Sequence, residues 1–377
     1  MILELNEDQK MIQDMARDFG KEHISPYALE WDQKHEFPQA AIEAMGELGL
    51  LGMTIPEEYG GAGVDTVAYV AAVEEIAKAC SSVAVTMTVN HLVCEIFNLY
   101  GSEEQKKQYL PVLCSKGLGS FCLTEPMAGS DAQNQKTTAK RDGDHYVLNG
   151  KKIYITNGSF AKAFIFTAVT SAPDAAKKEI SAFIVEPGQE GLILGKPEDK
   201  MGQCASNTIE VTLEQVRVHE SQLIGGENGF KVMMNGLNSG RIGIAALCVG
   251  IAQAALELAR DYAKERVAFG KPIASQQALQ FSIADMATQI ESARLMTYKA
   301  AYLKDQKQNY IQAASMAKLF ASEMCNKVCY DALQIHGGNG YIREYPIEKL
   351  YRDARVTSIY EGTSEIQRLV ISRQVLR

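Results

Sequence analysis

The sequence predicts an α+β protein in three consecutive parts. These are an N-terminal all-α domain (residues 1–118), a middle β-barrel or sandwich domain (119–225) and a C-terminal four-helix bundle (226–377). Three observations predict it. The first third carries apolar residues at helical spacing. From Gly117 the texture changes to short strand-like runs with two Asx-Gly pairs. After about residue 228 three apolar-periodic runs return, each long enough to form one side of a bundle.

In the first part, "NEDQKMIQDMARDFGKEHI" and "PQAAIEAMGELGLLGM" are amphipathic, and the run from Val67 to Gly101 is long and apolar. "PEEYGGAG" reads as a loop from its Pro and Gly content. Ser102 with Gln105 three residues on reads as a capping box opening another helix. In the second part Asp142-Gly143 and Asn149-Gly150 each read as a hairpin turn between strand-forming residues. "AKAFIFTAVT", "EISAFIVEP" and "NTIEVTLEQVRV" continue the strand pattern to about Val218. In the third part long helices follow "GGENGFKVMMNGLNSGRIG", and a final helix is expected to begin near Ser364, with Gln367 completing a capping box.

Bulk properties narrow the function. The chain has 377 residues, 46% of them hydrophobic, and a formal net charge of −8, which argues against a general nucleic-acid binder. Its eight cysteines form no CxxC, so reduced, mostly buried thiols and no metal site are expected. The N-terminus lacks a signal-peptide pattern and no uninterrupted apolar membrane span occurs, so a cytoplasmic protein is expected. No GxGxxG, GxxxxGK[ST] or GxSxG motif occurs, which excludes the nicotinamide Rossmann, P-loop and α/β-hydrolase readings.

Four stretches could carry chemistry. "FCLTEPMAGSD" (Phe121 to Asp131) offers hydroxyls and backbone N–H groups in a Pro/Gly-bent loop. Tyr154 and Thr156 put an aromatic face beside a hydroxyl near a strand end, suited to a planar ligand. "ERVAFGKPI" ends a long helix at Arg266, a side chain that can hold a pyrophosphate. "LQIHGGNGYIREYPIEKLYRDAR" places Gly337, Gly338 and Gly340 where a ligand could approach the backbone. Glu361 lies just outside the last helix, between Tyr360 and a glycine. Read locally, it complements a helix N-terminus.

Together these stretches resemble the acyl-CoA dehydrogenase family. The likeness runs from Leu5 to Arg373, and its most specific parts are "LTEPMAGSD" and "GGNGYIREYPIEKLYRDARVTSIYEGTSEIQR". "SGRIGIA" and "YEGTSEIQRLVI" look most like the short-chain (butyryl-CoA) branch. The resemblance implies a flavoenzyme that desaturates an acyl-CoA thioester between its α and β carbons, with Glu361 as catalytic base. It implies FAD in a cleft lined by Phe121, Leu123, Thr124 and Ser130, with Tyr154 and Thr156 against the isoalloxazine. Arg266, Phe269, Gln277, Gln334, Gly337 and Gly338 match positions holding the pyrophosphate and adenine, some across a subunit interface. Thr363 and Glu365 would also touch FAD. Ser130, Asn238, Arg241, Gly362 and Arg373 match the substrate side. A homotetramer, a dimer of dimers, and electron-transfer flavoprotein as electron acceptor are expected.

The sequence departs from common family patterns in places. Tyr154 stands where many relatives have Trp, Asn238 where several have Asp, and Cys204 where Arg is frequent. Some relatives carry their base just before the position of Arg241; here that residue is Gly240, leaving Glu361 alone. An oxygen-using oxidase and a non-catalytic scaffold share the fold. The segment Ala84 to Leu92 is expected to border the acyl pocket, with His91 either a satisfied core residue or a contact for a polar acyl group.

Overall fold

Helix α1 (Glu7–Phe19) starts where Asn6 and Gln9 close a reciprocal capping box. This is a computed structural model describing residues 4–172, 175, 178–226 and 228–376. One π turn over Gly20–Ile24 leads to α2 (Ala28–Lys34), a short helix the periodicity does not isolate, and to α3 (Gln39–Glu47). The apolar run read as one stretch is two helices. α4 (Thr66–Ala79) is capped by Asp65, and Cys80 turns extended at φ −162° before α5 (Ser81–Tyr100). Ser102 and Gln105 form the expected box at the head of α6 (Glu103–Ser115).

Among the described residues the middle region holds eight strands: β1 (Leu118–Cys122), β2 (Thr138–Asp142), β3 (His145–Thr156), β4 (Ala161–Val169), β5 (Ile180–Val185), β6 (Leu192–Pro197), β7 (Thr208–His219) and β8 (Leu223–Ile224). They form one connected mixed sheet in the order β6-β7-β3-β2-β4-β5-β8, with β1 joined in parallel to β4. Asp142-Gly143 does open a tight hairpin, since Asp142 pairs with His145. Asn149-Gly150 does not turn. It lies inside β3, where the pairing with β7 shifts register between Leu148 and Gly150. Gly150 sits at φ 154°, and a Cβ there would come 2.4 Å from the Thr137 hydroxyl. The glycine serves close backbone approach at a bulge, the competing use of Gly in a strand.

Helix α7 (Gly229–Glu265) is 37 residues long and absorbs the "GFKVMMNGLNSGRIG" stretch read as lying ahead of the helices. A small hairpin, β9 (Val267–Ala268) with β10 (Lys271–Pro272), separates it from α8 (Gln277–Asp305). The chain then forms α9 (Ile311–His336), α10 (Ile347–Arg355) and α11 (Ser364–Val375). Helices α7, α8 and α9 pack on one another, and α11 packs on α9. Helix α4 lies along α7, so the first and last thirds of the chain share one apolar core. A second cluster joins Leu92 and Ile96 of α5 to Leu123, Ile165, Met233 and Leu237, where helices meet sheet. The candidate site lies at that junction.

Helices α5 and α7 are long and apolar enough to cross a membrane, but 83% and 78% of those windows are buried inside this chain. All eight cysteines are free and buried. Among the described residues no cluster of His, Cys, Asp and Glu could hold a metal ion.

Candidate active site

After α10 the chain makes a 3-10 turn at Val356–Ser358 and emerges at Tyr360-Glu361-Gly362. Glu361 lies in the left-handed region at φ 49° and Gly362 at φ 89°. The first is costly for a side-chain-bearing residue, so surrounding contacts must hold it. They do so through the backbone. Gln367 Nε2 donates to Glu361 O (3.2 Å) and Gly362 O (2.9 Å), and Lys318 Nζ donates to Gly362 O at 2.8 Å. The final helix begins at Ser364, but its cap is Thr363, whose hydroxyl accepts from Ile366 N–H. The Ser364/Gln367 box does not form. Ser364 Oγ donates to Glu323, and Gln367 is spent on the turn.

The Glu361 carboxylate is shut off from solvent, and neither oxygen has a hydrogen-bond partner among the described residues. Burial raises its pKa to about 7, against the pull of Lys318 and Arg241. A Cβ on Gly240 would lie 2.3 Å from its Oε2 and 2.7 Å from Leu92. One turn on, a Cβ on Gly243 would lie 2.8 Å from the Tyr69 hydroxyl and 3.2 Å from Thr88. Residues three apart share a helix face. The carboxylate and the phenol therefore pack over neighbouring glycines on one face of α7, beside α5. Arg241 is buried, bonded to Asn238 Oδ1 (2.8 Å) and Ser315 Oγ (3.2 Å), with its Nε unpartnered among the described residues. His91 is a satisfied core residue. It stacks on Tyr69 at 3.8 Å, bonds Thr54 at 2.8 Å, and burial lowers its pKa to about 4.

A second group sits on the sheet. Strand β3 grips the loop after β1: Ile153 N–H donates to Thr124 O at 2.9 Å. The fully buried Lys152 donates to Leu123 O (3.1 Å), Glu125 (2.8 Å), Gln135 (3.0 Å) and Thr167 (3.1 Å). Glu125 in turn accepts from Lys136 N–H (2.5 Å) and Thr137 N–H (3.0 Å). Ser120 Oγ, beside Phe121, donates to Thr156 O at 2.8 Å. Tyr154 lies at φ 58° with its residue 65% exposed, so its ring stands free of the sheet. Ser130 is exposed and the backbone at Gly129 is open: a Cβ added there would meet nothing within 4 Å among the described residues. Asn157 ties the end of β3 to α5 through Thr86 O (3.2 Å), and Gln203 reaches the Tyr360 hydroxyl at 3.3 Å. These contacts and the Leu92–Leu123 apolar cluster bring the sheet edge and the Glu361 turn together.

A third group lies elsewhere. Arg266, Phe269, Gln277, Gln334, Gly337 and Gly338 are all exposed, Phe269 at 97%. They gather at the other end of α7 and α9, where Tyr262 stacks on His336 at 4.4 Å and bonds Asn339 at 3.0 Å. At 1.5 Å per residue Arg266 is roughly 38 Å along α7 from Arg241, and Gln334 roughly 24 Å along α9 from Lys318. Within one chain this group does not meet Glu361. Arg373 sits exposed in the last turn of α11, away from the turn at Glu361. Thr363 and Glu365 border a cavity of about 340 Å³ with Glu323, Asn326 and Arg355.

Models of the acyl-CoA dehydrogenase N-terminal, middle and C-terminal domains match residues 6–117, 120–216 and 227–376. The chain belongs to the acyl-CoA dehydrogenase family. It is 47% identical over 378 residues to the short-chain specific acyl-CoA dehydrogenase of Bos taurus mitochondria, covering 100% of this chain and 92% of that one. Its fold superposes on butyryl-CoA dehydrogenase from Megasphaera elsdenii with a TM-score of 0.97, at 41% identity and full coverage of both chains. A chain of a structure described as the electron transferring flavoprotein of Acidaminococcus fermentans matches at a TM-score of 0.98, with 46% identity and full coverage of both.

In this acyl-CoA dehydrogenase, the residues that build the turn carry little signal in the sequence. Lys318 reads as a surface lysine until its neighbours Ser315 and Ser322 are seen on the same inward helix face. Lys152 likewise is buried with Leu148 and Ile155 in a strand whose other residues are half-buried or exposed. Tyr69 and Leu92 look like ordinary core residues, and only the glycines opposite them mark their close approach to α7.

Proposed function

We propose that this enzyme dehydrogenates a short acyl-CoA thioester to the trans-2-enoyl-CoA, with Glu361 as the catalytic base. The observation that carries the reading is the unpartnered, water-excluded Glu361 carboxylate lying over Gly240. Such a group has a proton affinity matched to neutral pH, as a general base needs. The Cα–H bond breaks with its proton going to a Glu361 oxygen, the β hydrogen leaves as hydride, and the Cα=Cβ bond forms. Backbone N–H groups at the 361–363 turn are suited to stabilise the enolate-like oxygen that develops.

The residues present fit FAD. Tyr154 offers an exposed aromatic face, Thr156, Thr124 and Ser130 offer hydroxyls beside it, and the open backbone at Gly129 admits close approach. When bound, FAD supplies the hydride acceptor and passes electrons on, with electron-transfer flavoprotein as the proposed acceptor. Phe121 and Leu123 support the loop that would border the ring system. Arg266, Phe269, Gln277, Gln334, Gly337 and Gly338 are proposed to hold the far end of a cofactor bound to a second copy, since their own Glu361 lies tens of ångströms away. This division favours at least a dimer, and the family resemblance extends the proposal to a homotetramer built as a dimer of dimers. Asn238, Arg241 and Gly362 are assigned to the substrate side, Arg241 through its buried position behind the base. The short acyl group is proposed from the similarity to short-chain specific and butyryl-CoA dehydrogenases.

Anaerobic mixing of the holoenzyme with a series of straight-chain acyl-CoA thioesters tests this. Butyryl-CoA is expected to bleach the flavin band fastest and yield crotonyl-CoA. Bleaching only by long or branched thioesters overturns the short-chain reading, and none at all overturns the function.

A further inference from the structure

We infer that Lys318 is a positioning residue for the reaction, holding the Glu361 turn through Gly362 O while its buried cation stabilises the ionised carboxylate. The inference rests on Glu361 being the base. Lys318 is fully buried in the middle of α9, and among the described residues its only hydrogen-bond acceptor is Gly362 O, at 2.8 Å. A buried ammonium with one carbonyl partner is costly unless a charge answers it. No carboxylate among the described residues forms an ion pair with it. The unanswered carboxylate beside it in the chain is Glu361, the residue before Gly362, whose own two oxygens have no hydrogen-bond partner there. Two groups that are each expensive alone thus face one another across the turn.

The geometry gives Lys318 two separable effects. Its hydrogen bond, with those from Gln367, fixes the carbonyls on either side of the Glu361–Gly362 peptide. That constrains the left-handed backbone which places the carboxylate over Gly240. Its charge favours the carboxylate over the neutral acid. The other ionisable groups facing the pair are Arg241 and Cys248 on α7, Glu323 on α9, Glu365 on α11, Tyr69 on α4, and Tyr360. Of these only Arg241 is a second cation. Burial lowers the Lys318 pKa to about 8, with Cys248 and Glu361 pulling it up. Each charge thus favours the charged form of the other.

Removing the cation moves the base's titration upward. Lys318→Gln keeps a donor for Gly362 O but loses the charge, Lys318→Met loses both, and Lys318→Arg keeps the charge. The readout is the pH dependence of exchange of butyryl-CoA α-hydrogens with deuterated water on the FAD-loaded enzyme. The Gln variant should keep a parent-like rate at high pH with its midpoint raised by about 1–3 pH units, the range for an opposite charge at close quarters. At pH 7 its rate should fall roughly tenfold or more. The Arg variant should stay near the parent midpoint, and the Met variant should lose rate at high pH as well. A flavin-loaded Gln variant with the parent midpoint overturns the inference. Should the uncharged variants not fold, lysine ¹⁵N NMR on the parent and on Glu361→Gln decides. Lys318 should titrate at lower pH in Glu361→Gln, and equal titration overturns the inference. If Glu361→Gln exchanges α-hydrogens at the parent rate, the assignment of the base fails instead, so the two failures are distinct.

Discussion

Glu361→Gln should make the FAD-loaded enzyme more stable at pH 8 than its parent. A buried carboxyl with a pKa of about 7 holds its proton in the native state where the unfolded chain, at the ordinary 4.5, has lost it. Between those values the native state binds more protons than the unfolded one, so stability falls as pH rises from 4.5 through 7. Above pH 7 the ionised carboxylate costs stability in full. The gap between about 7 and 4.5 corresponds to about 3 kcal/mol. The amide, like the neutral acid, escapes that cost, so the variant's advantage should be near zero below pH 4.5 and approach the full value above pH 7. The assay is denaturant unfolding of both proteins at matched flavin saturation across pH 4.5 to 8. An advantage independent of pH, or a less stable variant at pH 8, would refute the claim that Glu361 is held in a dry, charge-hostile site.

Three further outcomes follow from other contacts. Gly240→Ala drives a methyl to within 2.3 Å of Glu361 Oε2, so turnover should fall at least tenfold while flavin content stays at parent level; unchanged turnover would mean the carboxylate does not rest there. Lys152→Met strands the buried Glu125 carboxylate, which should cost about 3–5 kcal/mol and loosen flavin binding, measured by FAD retention on dilution and by unfolding. Arg266→Ala should weaken FAD retention and subunit association together, read by sedimentation of apo and holo forms; a variant with weak flavin but an intact, flavin-insensitive oligomer would separate the two roles.

The order of helices, sheet and helices was legible because periodicity reports burial directly, and Ser102–Gln105 and Asp142-Gly143 behaved as local chemistry dictates. Asn149-Gly150 misled because a glycine that admits a neighbouring backbone looks the same as one that turns a hairpin. The Ser364–Gln367 pair misled because Gln367 is claimed by carbonyls at Glu361 and Gly362, a tertiary demand invisible from spacing. The length of α7 was underestimated at its glycine-rich start, where Gly236, Gly240 and Gly243 each face another element closely enough to offset their poor helix propensity. Glu361 stood out in sequence because a carboxylate beside a glycine turn invites explanation. Lys318 did not, since it reaches the turn from a helix far away in the chain and carries no local mark of its role.

The base itself is tested most directly by substrate α-hydrogen exchange in deuterated water, comparing Glu361→Gln with the parent at equal FAD content. Glu361→Gln should still perturb the flavin spectrum on binding butyryl-CoA, because the amide keeps the size of the side chain and the fold around it. Exchange and flavin reduction should both fall by at least the ~10²–10⁴-fold typical of a lost general base. Exchange and reduction at the parent rate would show that another group takes the α proton and would contradict the account.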